Sequence, residues 1–267
     1  MKTVQSADGT TIAFDQLGKG PALILVDGAL VQRAMDSETT QLAPLLAQYF
    51  TVFHYDRRGR GESTDTQPYA VEREIEDIDA LITEAGGSAC VFGISSGAAL
   101  ALEAAIKLGS KVKKLAMYEA PYNDDEAARR AWKEYRKQLV EVLAHGRRGD
   151  ALALFMLLVG MPPDRLDAVR QHPMWPRWEA VAPTLVYDAA VMGEDASVPS
   201  EKAANVAVPA LVMDGGASYP FMHVTALALA KAMPHGRHRT LDGQTHEVAS
   251  QVLAPVLVEF FEEGAYY

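Results

Sequence analysis

The sequence predicts an α/β fold: a mostly parallel sheet covered by helices on both faces, with a helical insertion late in the chain. Three observations carry this expectation. Short runs rich in Val, Ile and Leu, bounded by Gly or Asp, alternate with stretches of helical periodicity, as in a chain that feeds parallel strands through crossover helices. Several runs are continuously apolar, as strands buried on both faces are. The alternation stops after residue 121 and resumes at 206, and the residues between read as helices broken by proline.

In chain order, the candidate strands are TIAFDQLG (11–18), ALILVDG (22–28), FTVFHYD (50–56), SACVFGI (88–94), KKLAMYE (113–119), ALVMDGG (210–216) and HRTLDG (238–243). Between the third and fourth, residues 71–87 place Ile75, Ile78, Leu81 and Ile82 at helical spacing with acids opposite, and stop at the pair Gly86-Gly87. That pattern is a surface helix on the sheet. The organisation expected is a core of residues 1–121, a helical cap of 122–205, and the rest of the core in 206–267. The cap is rich in aromatic and Met residues, among them Trp132, Tyr135, Phe155, Met156, Trp175, Trp178 and Tyr187. Ligand sites favour apolar walls between structural units, so Trp175, Trp178 and Tyr187, with Leu30 and Tyr219 from the core, are candidate substrate contacts. No internal repeat or low-complexity tract is present.

Composition excludes several classes. With 267 residues, 49% of them hydrophobic, the chain can bury a sizeable core. A formal charge of -10 argues against a nucleic-acid partner, which calls for a positive footprint. The lone cysteine, Cys90, lies in an apolar strand and has no partner for an internal disulfide. The N-terminus lacks signal-peptide character and the longest apolar run, 151–161, is too short to span a bilayer, so a cytoplasmic protein with no membrane association is expected.

The chemistry-bearing motif is Gly93-Ile94-Ser95-Ser96-Gly97, a G-x-S-x-G that follows a strand and precedes an Ala-rich helix. A sharp turn there projects Ser95 from the sheet edge, while small flanking residues let strand and helix approach. Ser96 opens the helix, where its amide can face a developing oxyanion and its hydroxyl can cap the helix. A serine needs a base, and histidine titrates near neutrality. Of seven histidines, His246 follows the last strand in a loop at the same edge as Ser95. His54 lies within a strand, His145 and His172 in the cap, and His223, His235 and His238 before the last strand. For the acid, Glu119 ends the strand neighbouring that of Ser95 and can reach the same crevice. Asp214 is the alternative. Asp56 and Arg57, in the Arg-rich turn after the third strand, read as a structural network. No metal-ligand spacing and no phosphate-binding Gly-rich turn is visible, so no metal and no cofactor is expected.

The elbow GISSGAA, the turn after PALILVDGAL, the YDRRGRGES turn, the GQTHE histidine and the helical insertion together resemble the α/β-hydrolase fold superfamily across essentially the whole chain. The resemblance implies an eight-stranded sheet, Ser95 as nucleophile, His246 as base, Glu119 as orienting acid, and the amides of Ala29 and Ser96 as oxyanion donors, with Gly28 or Leu30 as alternatives to Ala29. In most members the acid follows the strand corresponding to ALVMDGG, and that slot holds Ser218. GISSGAA coupled to AMYEAP therefore resembles the Ser-Glu-His subgroup, which includes the zearalenone hydrolase lactonases. The activity implied is cofactor-independent cleavage of a carboxylic ester or lactone, with a small molecule as partner and a monomer or homodimer as the assembly. Alternatives are a C–C bond hydrolase or perhydrolase-type enzyme on the same residues, or a small-molecule receptor without turnover. Family members that use an aspartate nucleophile are discounted, because position 95 is serine.

Overall fold

The apolar runs pair into a single sheet. In the computed structural model, which describes residues 1–35 and 37–264, the strands are β1 (Lys2–Gln5), β2 (Thr11–Leu17), β3 (Ala22–Val26), β4 (Thr51–Tyr55), β5 (Ala89–Ile94), β6 (Val112–Tyr118), β7 (Ala210–Gly215) and β8 (Gly236–Leu241). Their order across the sheet is β1-β2-β4-β3-β5-β6-β7-β8. From β4 to β8 every pairing is parallel, whereas the β1–β2 and β2–β4 pairings are antiparallel, so β2 alone runs against the rest. Strand β1 is absent from the sequence expectation because its residues are polar and mostly exposed, an edge strand with no apolar run to announce it.

Continuous apolar strands have a direct cause. In β3, Ile24 and Val26 join the layer under α2 (Val71–Glu84) and α3 (Ser96–Leu108), whereas Leu23 and Leu25 join the layer under α1 (Glu38–Leu46) and α11 (Ser250–Glu262). Both faces are covered, so neither half of the alternation can be polar. In α2, Ile75, Ile78, Leu81 and Ile82 are buried as their spacing requires, and the helix ends before Gly86 and Gly87, both at positive φ. The acids of α2 depart from the expected solvated face. Glu74 and Asp77 are buried, because the guanidinium groups of Arg57 and Arg58 form paired hydrogen bonds to them.

Between β6 and β7 the chain forms α4 (Glu126–Ala144), α5 (Arg148–Leu158), α6 (Leu166–Arg170), α7 (Trp175–Val181), α8 (Leu185–Val191) and α9 (Ser200–Ala203), and α10 (Pro220–Ala232) follows β7. Most of these insertion helices share a separate apolar cluster that includes Leu139, Leu152, Trp175 and Leu185 and receives Leu30 from the core. Among the described residues, no helix is long and apolar enough to cross a membrane.

Register positions the site. Val26 lies opposite Gly93, Ile94 opposite Tyr118, and Tyr118 opposite Met213. The residues that follow these strands therefore emerge side by side at one rim. Two backbone bonds extend the ladder there: Ser95 N–H donates to the Tyr118 carbonyl (3.0 Å) and Glu119 N–H to the Met213 carbonyl (3.0 Å).

Candidate active site

Ser95 sits at φ 56° and ψ −130°, between the last residue of β5 and the first of α3. A non-glycine residue held there costs roughly 1–3 kcal/mol and persists only where its surroundings enforce it. The enforcement is steric. A Cβ on Gly93 would lie 2.4 Å from the Gly97 carbonyl oxygen, and one on Gly97 would lie 2.2 Å from the Val26 carbonyl oxygen. Strand and helix are thus in backbone contact, and the turn between them has no room to relax. Beside it, the turn after β3 approaches Ser95 so closely that a Cβ on Gly28 would lie 3.0 Å from the Ser95 Cβ.

Glu119 follows β6 at φ 46° and is buried. Its Oε1 accepts from the Gly215 amide at 2.8 Å, and its Oε2 accepts from the Ser218 hydroxyl at 2.9 Å. The same Oε2 lies 2.7 Å from Nδ1 of His246. A carboxylate only accepts, so this contact assigns the hydrogen to Nδ1 and leaves Nε2 free to act as a base. The loop carrying His246 is held by the Tyr118 hydroxyl, which donates to the Thr245 carbonyl at 2.5 Å, and by the Ala217 amide, which donates to the Gln244 carbonyl at 2.8 Å. His246 lies in this loop, four residues before α11 begins at Ser250. Ser218, in the slot where an acid is usual, supports the acid that reaches in from β6.

The other candidates lie elsewhere. Asp214 contacts His238, His223 and Thr240, and no hydrogen bond joins it to His246. His54 pairs with the buried Asp27 at 2.8 Å, His172 stacks on Trp178, and His145 and His235 are exposed.

Ala29, Ser95, Ser96 and His246 line one cavity of about 290 Å³, whose remaining wall is mostly apolar and includes Trp132, Phe155, Leu158, Met192, Phe221 and Met222. As the first residue of α3, Ser96 has an amide with no intrahelical acceptor. Its hydroxyl does not cap the helix: it donates to Asp188 Oδ1 at 2.7 Å. Of the candidate substrate contacts, Tyr219 lines the cavity and four others do not. Trp175 is buried in the insertion's own cluster with the Arg170 guanidinium over its ring, and Trp178 stacks on His172; both belong to α7, which packs on α5. Tyr187 stacks on Tyr69 at 3.8 Å and donates to Asp65, a strut between insertion and core. Leu30, at φ 65°, turns into the insertion cluster.

A buried ionic network underlies the site. Asp188 of α8 accepts from Arg57 (2.7 Å) and Arg60 (2.6 Å), and these guanidinium groups also donate to the Asp27 and Gly28 carbonyls (3.2 and 2.6 Å). A trans peptide points its N–H opposite its C=O, so the bond to the Gly28 carbonyl also fixes the direction of the Ala29 amide. The Arg-rich turn read as structural therefore reaches both Ser96 and the turn beside Ser95. The cluster of arginines in YDRRGRGES is a signal that buried acids must exist elsewhere; nothing in α8 marks Asp188 as one of them.

Burial alone would push the Asp188 carboxyl up, but the guanidinium groups of Arg60 and Arg57 and the Ser96 hydroxyl hold it below its ordinary value. A depressed carboxyl contributes stability that is present above the unfolded value and lost as pH falls through the folded one. Replacing Asp188 by Asn leaves two buried cations short of a counter-charge, an expected cost of about 3–5 kcal/mol. Urea unfolding at pH 7 and at pH 3 checks this: the variant should lose stability at pH 7, with a smaller gap at pH 3. An unchanged midpoint at pH 7 would contradict the network's role.

The family model described as the alpha/beta hydrolase family matches residues 29–256. The crystal structure of an alpha/beta hydrolase from Sphaerobacter thermophilus is 52% identical, covering 97% of this chain and 100% of that one, with a TM-score of 0.88. A thermophilic esterase from Thermogutta terrifontis shares the fold at a TM-score of 0.73 and 19% identity, covering 98% of each chain. Among curated proteins, the uncharacterized hydrolase YraK of Bacillus subtilis is 32% identical over 116 residues, 42% of this chain and 41% of that protein. The match thus spans about two fifths of that relative's length.

Proposed function

The chain belongs to the alpha/beta hydrolase family, and on that premise we propose that it is a cofactor-independent serine hydrolase cleaving a carboxylic ester or lactone through an acyl-enzyme. One observation carries the reading: the imidazole of His246 is held by the buried carboxylate of Glu119 at 2.7 Å, on the same cavity as a strained, exposed-edge serine.

Ser95 Oγ attacks the carbonyl carbon while His246 Nε2 takes the hydroxyl proton. The negative charge that develops on the carbonyl oxygen is met by the amides of Ser96 and Ala29. Collapse of the tetrahedral intermediate breaks the bond to the leaving oxygen, which takes the proton from the imidazolium. Water then attacks the Ser95 ester, again giving its proton to His246, and the acid product leaves. Glu119 keeps its negative charge throughout, fixing the tautomer and stabilising the imidazolium. With a lactone, the leaving hydroxyl stays attached to the acyl chain until water completes the second step. The Ser-Glu-His order is the feature shared with the lactone-cleaving subgroup that includes zearalenone hydrolase, so lactones belong in the substrate set. The single cysteine, buried and free, supports a reducing cytoplasmic setting.

The wall narrows the substrate class. Among the described residues lining the cavity there is no Lys or Arg, the charged side chains being Asp188 and Asp195. Both acids are themselves paired, Asp188 with Arg57 and Arg60 and Asp195 with Arg129, so the mostly apolar wall offers no free cation to hold a carboxylate and suits a neutral, apolar acyl group. The test is a panel of p-nitrophenyl esters and lactones assayed with purified protein. Butyrate and hexanoate esters should turn over at least about 10-fold faster in kcat/KM than the succinate half-ester, a discrimination worth about 1.4 kcal/mol. Equal or inverted rates would remove the apolar-substrate reading, and no turnover on any member, with tight binding, would favour a receptor.

A further inference from the structure

Beyond the cavity, the fold assembles a second group of chemistry-bearing side chains that the hydrolase reading does not use. Asp214, buried near the end of β7, projects to the face covered by α10. In register it lies opposite Thr240 of β8, with His238 two residues earlier on the same face of that strand. His223 comes from the first turn of α10. The carboxylate oxygens of Asp214 lie 2.9 Å from Nδ1 of His223 and 2.5 Å from Nε2 of His238. All three ligand atoms are within 4.8 Å of one another.

We propose that Asp214, His223 and His238 form a binding site for one divalent transition-metal ion of the zinc class, separate from the catalytic cavity. Two imidazole nitrogens and one carboxylate oxygen suit zinc and its neighbours, while magnesium and calcium favour oxygen donors. Ligands about 2.1 Å from a tetrahedral ion sit roughly 3.4 Å apart, so the two Asp–His contacts open by less than about 1 Å to admit it. The His223 side chain is 48% exposed, which leaves an entry path and a fourth position for water, whereas Asp214 is 1% exposed and fixed. The Thr240 hydroxyl donates to Asp214 Oδ1 at 3.1 Å, the kind of outer contact that orients a ligating carboxylate. The three donors come from β7, α10 and β8, so an ion there clamps the start of α10 to the sheet. The segment so clamped carries Ser218, which supports Glu119, and Tyr219, Phe221 and Met222 of the cavity wall.

The site stands or falls independently of the hydrolase activity. Chelator-treated full-length protein without a polyhistidine tag is titrated with zinc chloride by calorimetry and with cobalt(II) by visible absorption. One equivalent of zinc per chain, tetrahedral cobalt bands and a Tm raised by roughly 5–10 °C at a hundredfold excess over Kd are expected. His223→Ala and His238→Ala should each weaken zinc binding at least about 100-fold, and Thr240→Val about 10-fold. Both histidines are at the surface side of the cluster, so these variants should fold where Asp214→Asn, which alters a buried group, need not. Absence of binding, or stoichiometric binding that survives both histidine substitutions, would overturn the proposal and leave a carboxylate shared by two imidazoles through hydrogen bonds alone.

Discussion

Replacing Ser95 by alanine should lower kcat for p-nitrophenyl ester hydrolysis by about 10⁶-fold while KM changes little, the scale seen when a nucleophile is removed from a catalytic unit. On the proposed mechanism this hydroxyl forms the acyl bond, and its neighbour cannot substitute. Ser96, the first residue of α3, has its hydroxyl engaged by Asp188 at 2.7 Å. Alanine keeps the backbone of the elbow, because the close approach of Gly93 to Gly97 and of Gly97 to Val26 does not depend on the side chain at 95. Steady-state kinetics on the two proteins, with circular dichroism to show equal folding, checks the expectation. A variant retaining more than a few per cent of the rate would mean that the reaction does not pass through this hydroxyl.

The second large effect is at Glu119. Changing it to Gln should lower kcat by about 10⁴-fold, because the amide presents a donor to Nδ1 and favours the tautomer with Nε2 protonated. The geometry makes the substitution nearly isosteric: one oxygen position still accepts from Gly215, and Ser218 can turn its hydroxyl to accept. The loss therefore reports charge and tautomer more than collapse of the loop. Asp214→Asn is the control. Its partners are His223, His238 and Thr240 and not His246, so kcat per folded molecule should fall at least about 100-fold less than in Glu119→Gln. The reverse ranking would assign the acid to Asp214.

Much of this site is legible in the sequence because strand ends are. A strand that stops at a known residue, in a parallel sheet, delivers the next residue to a shared rim, which serves for Ser95 in its G-x-S-x-G turn and for Glu119; His246, five residues past the end of β8, is read from its loop before the last helix. Ser218 is legible only as an absence, a serine where an acid is usual, and its contact with Glu119 turns that absence into a support. The pocket wall is less legible. Aromatic residues of the insertion are apolar whether they face a ligand or one another, and nothing local separates Trp132, on the cavity, from Trp175, in the insertion's own cluster. Helix α7 packs on α5, a fact of helix packing that no single periodicity encodes. Pairings between distant charges are hidden for a related reason: Asp188 meets Arg57 and Arg60 across more than a hundred residues, and Asp214 meets His223 and His238 only once β7, α10 and β8 are stacked. Motif spacing along the chain cannot register side chains supplied by three separate elements.

The claim at the centre is that Glu119, through His246, makes one hydroxyl on this chain nucleophilic. Its most direct test needs no knowledge of the substrate: the second-order rate of phosphonylation by a serine-reactive fluorophosphonate, with the modified residue located by peptide mass spectrometry. One equivalent on Ser95 is predicted, formed about 10⁴-fold more slowly in Glu119→Gln and, per folded molecule, at least about 100-fold faster in Asp214→Asn than in Glu119→Gln. Modification of a different residue, or equal rates in the original protein and Glu119→Gln, would contradict it.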